Sequence, residues 1–141
     1  MPRTDSLEVA NALHRAAIRL LRMVRAVDDQ TGVSAPKLSA LSVLTFGGPQ
    51  NLKTLARAEQ VTPATMSKLV SDLEAAGLVA KRIDRADKRG VRIEVTAKGR
   101  TLMEEGRKRR LALLNKCIAK LTREERAQLA EASALMMRLA E

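Results

Sequence analysis

Aromatic residues are almost missing from this chain: there is no tryptophan or tyrosine, and Phe46 is the single phenylalanine. Any core must therefore be built from Leu, Val, Ile, Met and Ala, and recognition of single-stranded nucleic acid by stacking bases on aromatic rings is disfavoured. One cysteine, Cys117, excludes an intramolecular disulfide, and one histidine, His14, cannot by itself make a zinc site. Neither a signal peptide nor an apolar run of about twenty residues is present, which argues against secretion and membrane spanning and fits a reducing cytoplasm. Enzyme signatures are missing as well. With no Gly-rich phosphate loop, no nucleophile elbow, no metal-ligand spacing and few general bases suited to neutral pH, neither catalysis nor a cofactor is expected.

Acid is scarce relative to base. Lys+Arg 26 against Asp+Glu 16 gives a formal charge of +10 on 141 residues, with a sequence pI of about 10.6. A polyanion is the economical partner for such a balance, although charge alone does not locate a binding surface and a merely soluble basic protein has the same composition. The length suits one ordinary domain, or a small domain with dimerising arms.

Helical periodicity dominates both ends. Leu7, Ala10, Leu13, Ala17, Leu20, Leu21, Val24 and Val27 recur every three or four residues, while Arg15, Arg19, Arg22 and Arg25 fall mostly elsewhere on the same helix. Leu102, Met103, Gly106, Leu113, Leu114, Cys117 and Ile118 line a second long helix near the C-terminus. Thr122 with Glu125 reads as a capping box opening a last helix that carries Leu129, Ala132, Met136 and Leu139. A central module of about sixty residues has too little apolar surface to cover all three stripes, so burial against a second copy is expected. A monomeric helical bundle is the alternative.

Between these arms, Ser34-Ala-Pro36 opens a helix through Leu38, Leu41, Leu44 and Phe46 that Gly47-Gly48-Pro49 stops. Asn51 is a candidate N-cap for a helix from Leu52 to about Glu59. Thr62-Pro63 marks the next start: a hydroxyl to accept an end N–H, then proline at a position where its missing N–H costs nothing. Gly77 ends that helix, and the period then changes to two, with Val91, Ile93 and Val95 alternating against Arg92 and Glu94. Val79 to Ile83 is the expected partner strand, the segment from Asp84 to Gly90 the hairpin tip, and Thr96 the cap of the helix that follows.

A turn of about 100° per residue puts Met66, Leu69, Val70 and Leu73 on one inward stripe of the Pro63 helix, leaving Ala64, Ser67, Lys68 and Ser71 opposite. Those side chains suit a major groove. Serine and lysine bond base edges or phosphates, Ala64 and the Thr65 methyl can touch a thymine methyl, and a helix N-terminus attracts phosphate. The hairpin adds Arg82, Arg85, Lys88 and Arg89. Arg89 first, and Arg85 second, is the side chain expected to enter a narrow minor groove, with Asp87 orienting Arg89 or bracing Arg82. Each feature taken alone also describes an ordinary solvated face. Together they read as a DNA-binding region built from Asn51, Thr62, Pro63, Ala64, Thr65, Ser67, Lys68, Ser71, Arg82, Arg85, Lys88 and Arg89, supported by Asp87.

The run from Leu55-Ala56 through Val61-Thr62-Pro63 and Met66 to Leu73 and Gly77-Leu78-Val79 resembles the MarR family of bacterial transcription regulators. So do the hairpin from Asp84 through Asp87 and Arg89, and the Val95-Thr96-Ala-Lys-Gly99 segment. The resemblance implies a mainly α fold with a small β-wing: a winged helix-turn-helix over 33–96, flanked by an N-terminal dimerisation helix over 1–32 and C-terminal dimerisation helices over 97–141. It further implies a homodimer on a pseudo-palindromic operator, with recognition helices in successive major grooves and wings in flanking minor grooves. Many relatives release DNA when a small phenolic or other lipophilic effector lodges between the two parts, and His14, Arg15, Met23 and Met103 are the candidates to border such a cleft. Some relatives sense oxidants through a cysteine near the first helix. Here Cys117 sits on a C-terminal apolar stripe, where a buried thiol is expected to be inert. The expected function is a sequence-specific repressor, with a nonspecific architectural DNA-binding protein as the competing reading.

Overall fold

A computed structural model of the chain describes residues 4–87 and 90–141. Helix α1 (Ser6–Asp28) passes through a short 3-10 turn at Asp29–Thr31 into α2 (Ala35–Gly47). A strand β1 (Gln50–Asn51) leads directly into α3 (Leu52–Ala58), and a tight turn connects it to α4 (Pro63–Ala75). The ribbon β2 (Val79–Ile83) and β3 (Val91–Val95) follows, then α5 (Ala97–Ile118) and α6 (Arg123–Leu139).

The α-helices other than α2 begin where a side-chain oxygen accepts an end N–H, and α2 begins instead with a proline in its first turn. Asn51 Oδ1 accepts from the Thr54 amide at 2.7 Å, Thr62 Oγ1 from the Thr65 amide at 3.1 Å, and Thr96 Oγ1 from the Gly99 amide at 3.1 Å. At α6 the capping box closes in both directions, Glu125 N to Thr122 Oγ1 at 3.1 Å and Thr122 N to Glu125 Oε1 at 3.2 Å. Each such cap stabilises its helix by about 1 kcal/mol.

Burial concentrates in the middle of the chain. Ala40, Leu41 and Leu44 of α2, Leu55 and Ala56 of α3, Met66, Val70 and Leu73 of α4, and Leu78, Val79, Ile93 and Val95 around the ribbon form one core. No buried polar or charged residue occurs among the described residues. Side chains of this size contribute roughly 1.5–3 kcal/mol each when fully buried, so this cluster holds α4 in place from beneath. The aliphatic composition expected from the scarcity of aromatics is found, and Phe46 stays outside, 81% exposed at the end of α2.

The sheet has three strands in the antiparallel order β1-β3-β2. Val79 lies opposite Val95, Lys81 opposite Ile93, Arg82 opposite Arg92 and Ile83 opposite Val91. The sequence reading contains only the two ribbon strands. The third, β1, adds Gln50 opposite Ile93 and Asn51 opposite Arg92, which ties the start of α3 to the root of the ribbon.

Two glycines are required by geometry. Gly77 turns the chain out of α4 at φ +77°, a conformation that penalises any side chain. Gly99 lies buried where α5 crosses the ribbon: a Cβ there would collide with the Leu78 carbonyl oxygen and come within 2.6 Å of Val95 Cγ2. This close approach lets the first turn of α5 grip the exit of α4. Thr96 Oγ1 donates to the Gly77 carbonyl at 2.7 Å, the Thr96 amide to the Leu78 carbonyl at 3.0 Å, and Lys98 Nζ to the Ala76 carbonyl at 2.9 Å.

The outer helices behave differently. Neither α1 nor α6 contributes a buried residue, and Leu20, Leu21, Leu129, Leu135, Met137 and Leu139 are exposed. Across the protomer α1 is fastened to α5 by a half-buried ion pair, Arg110 Nη1 to Asp28 Oδ1 at 2.8 Å. Cys117, expected to be buried on the apolar stripe of α5, is exposed one residue before the end of that helix.

Candidate nucleic-acid interface

Helix α4 is two-faced, as its spacing predicts. Met66 and Val70 are 0% exposed and Leu73 1%, whereas Ala64, Thr65, Ser67, Lys68 and Ser71 are all exposed on the opposite side. Thr62 and Pro63 stand exposed at its N-terminus, and Asn51 is exposed at the start of α3. The polar face is therefore held rigidly without being covered, and its leading end presents amides that have no carbonyl partner within the helix, together with the positive end of the helix dipole.

Lys68 is the most prominent cation on this face, its side chain 80% exposed. Its ammonium lies 3.6 Å from Asp72, the pairing expected four residues along the helix. Asp72 is shared: Lys37 Nζ of α2 approaches its other oxygen at the same 3.6 Å. The sequence reading contains no role for Lys37, and no local pattern reveals one, because the contact depends on how α2 crosses α4.

The ribbon carries the second part of the site. Arg82 Nε donates to Glu94 Oε1 across the ribbon, so part of its charge is already answered within the protein. Arg92 Nη2 donates to the Pro49 carbonyl at 3.1 Å, and Lys81 Nζ lies 3.7 Å from Glu74 of α4. Arg85 and Asp87 are exposed at the tip, where Asp84 Oδ1 accepts from the Ala86 amide at 2.9 Å and the Gly90 amide donates to the Asp87 carbonyl at 2.8 Å. Lys88 and Arg89, both expected to contact DNA, lie outside the described residues.

Away from this face lie two adjoining clefts, one of about 330 Å³ between α2 and α5 and one of about 510 Å³ between α1, α2 and α5. They share Ser42, Met103 and Arg110. Of the residues singled out for an effector, Met103 lines both clefts, His14 and Arg15 are exposed on α1, and Met23 is half-buried on the same helix. Nothing local in the sequence signals the Asp28–Arg110 pair that lines the larger cleft, since its members are 82 positions apart. No group of three or more potential metal ligands and no helix long and apolar enough to cross a membrane occurs among the described residues.

Comparison with known proteins agrees with this arrangement. The MarR family model matches residues 33–91, which span α2 through the start of β3. An uncharacterised HTH-type transcriptional regulator of Mycobacterium bovis, Mb0904, is 33% identical over 131 residues, covering 93% of this chain and 92% of that protein. The crystal structure of the transcriptional regulator Tm0710 from Thermotoga maritima is 25% identical, superposes with a TM-score of 0.82 and covers 94% of this chain and 96% of that one. A point mutant of Staphylococcus aureus MepR, solved bound to an oligodeoxyribonucleotide, shares the fold at 19% identity, with a TM-score of 0.72 over 94% of this chain and 98% of its own. With an exposed polar helix on a winged helix-turn-helix scaffold and a regulator matching over nearly its whole length, this chain belongs to the MarR family of helix-turn-helix transcriptional regulators and is not an enzyme.

Proposed function

We propose that the protein is a cytoplasmic, homodimeric repressor that binds a pseudo-palindromic DNA operator and lets go of it when a small lipophilic or phenolic effector binds. The observation that carries the DNA reading is the exposure of Ser67, Lys68 and Ser71 directly above fully buried Met66 and Val70. A helix locked from below and open above holds its donors in a fixed register, which base reading requires and general charge attraction does not. The wing arginines Arg85 and Arg89 supply the minor-groove contacts in this reading, and Asp87 their support.

Dimerisation is supported by the uncovered apolar surface of α1 and α6. Val9 and Leu13 of α1 and Leu135, Met136 and Leu139 of α6 border one open apolar groove of about 460 Å³. A surface of that kind on a small protein marks an association site. Effector release is supported by the joined clefts beneath α2, whose size fits a small ligand and whose walls belong to both the arm helices and the DNA-binding region.

A competition gel-shift with the purified protein and the DNA upstream of its own gene tests the reading. Preference for that DNA over random duplex is expected. Equal affinity for every duplex would make the protein a nonspecific architectural one. Within the same assay Arg89→Ala should weaken binding to all sequences and lower the salt slope by about one, whereas Ser67→Ala should alter base preference.

A further inference from the structure

The wing carries an apolar pair that neither the core nor the arginine motif explains. Ile83 is 77% exposed and Val91 46%, and they lie directly opposite each other at the outer end of the ribbon. Opposed residues in an antiparallel pair share a face, so Ile83 and Val91 continue the row that begins with buried Val79, Val95 and Ile93. The apolar row thus runs past the end of the core. Two β-branched side chains in that position cost solubility and favour edge association, so a partner surface is the physical reason to keep them.

The direction of that face is given by its neighbours. A groove of about 200 Å³ runs between the ribbon and α4, walled by Val91, Lys81 and Ile93 on one side and by Ser67, Val70 and Leu52 on the other. Val91 therefore stands beside Ser67, on the exposed reading face of α4. The opposite face of the ribbon holds Arg82 and Arg92, and both already donate within the protein, to Glu94 and to the Pro49 carbonyl. The face that Ile83 and Val91 share carries one cation, Lys81, whose ammonium lies 3.7 Å from Glu74, so its outer end is apolar.

We infer that Ile83 and Val91 form a second DNA contact, packing their methyl groups against the deoxyribose faces along the wall of the minor groove that flanks the α4 site. This rests on the proposed DNA-binding function. Sugar C–H edges are the apolar component of a duplex, and a flat β-branched pair covers them without needing a base sequence. The chain's formal charge of +10 and the exposed Arg85 at the tip bring the phosphates close enough for those methyls to reach. Minor-groove proteins that kink DNA wedge apolar side chains between base steps, whereas here the pair rests on the sugars, beside Arg85.

The test uses Ile83→Ser and Val91→Ser in the full chain, with Ile83→Val as the conservative control, titrated into a duplex of the upstream DNA between about 50 and about 200 mM salt. Each serine variant should bind roughly three- to tenfold more weakly, with an unchanged slope of log affinity against log salt, because an apolar contact releases no counterions. Arg85→Ala should lower both. Hydroxyl-radical footprinting should lose protection of the sugars flanking the site while the central protection persists, and Ile83→Val should restore both readouts. Wild-type affinity and footprint in the serine variants would overturn the inference. A changed sedimentation coefficient in Ile83→Ser would also overturn it, by assigning the patch to a contact between copies. If the unaltered protein bound no duplex at all, the DNA-binding reading itself would fail first, a result the wild-type lane reports separately.

Discussion

Replacing Gly99 with alanine sets two physical effects against each other. Gly99 is the third residue of α5, and exchanging glycine for alanine in a helix ordinarily stabilises by about 0.5–1 kcal/mol. At this position the added methyl would strike the Leu78 carbonyl oxygen, approach Val95 Cγ2 to 2.6 Å and the Leu78 carbonyl carbon to 3.3 Å. None of these is a flexible side-chain end, and the Leu78 carbonyl already accepts the Thr96 amide at 3.0 Å. Overpacking costs about 1–3 kcal/mol, and a clash against backbone that cannot move aside lies at the upper end, so the clash should win by about 2 kcal/mol. Urea unfolding followed by far-ultraviolet circular dichroism should give a lower midpoint at unchanged slope, and melting should fall by about 3–8 °C at a fixed protomer concentration. Gly106→Ala is the internal control. Its methyl would meet Arg110 Nη1 at 3.2 Å, the nitrogen that pairs with Asp28, so any loss in that ion pair offsets the gain in helix propensity and the net change should be smaller than at Gly99. If Gly99→Ala were the stabilising variant, the account of how α5 seats on the ribbon would be wrong.

Other expectations follow from single contacts. Thr62→Ala removes the acceptor for the Thr65 amide and should lower unfolding free energy by about 1 kcal/mol, and an unchanged urea midpoint would show the cap to be idle. A double-mutant cycle on Asp28→Ala and Arg110→Ala should give a coupling of about 1–2 kcal/mol, above that of exposed pairs because both side chains are half-buried; coupling near zero would refute this. Leu135→Glu on the uncovered face of α6 should sediment as single subunits where the unaltered chain sediments as the proposed dimer, and wild-type sedimentation of the variant would refute the assignment of that face.

What could be read in advance was whatever the chain encodes locally. Asn51, Thr62, Thr96 and Thr122 announced their helices because a cap depends on residues only three apart, and β3 showed itself through the strict alternation of Val91, Ile93 and Val95. The polar face of α4 followed from helical spacing alone. Strand β1 escaped because two residues carry no period, and its pairing partner Ile93 lies far along the chain. The same remoteness hid the Lys37–Asp72 and Asp28–Arg110 pairs, which exist only once α2, α4, α1 and α5 have crossed. Phe46 and Cys117 fit apolar helical rows yet are exposed, since a repeat predicts that residues share a side, not that something covers it.

The clasp between α5 and the exit of α4 has a mechanical consequence. Helix α5 is 22 residues long, a rod of about 33 Å, and its first turn holds three successive carbonyls, those of Ala76, Gly77 and Leu78. A swivel of that rod is resisted most directly by the two Thr96 bonds, since the Lys98 ammonium sits on a flexible side chain, and what it would pull is the end of α4. Torque applied near Ile118 would thus load the exit of α4 at Ala76 to Leu78 before any other part of that helix.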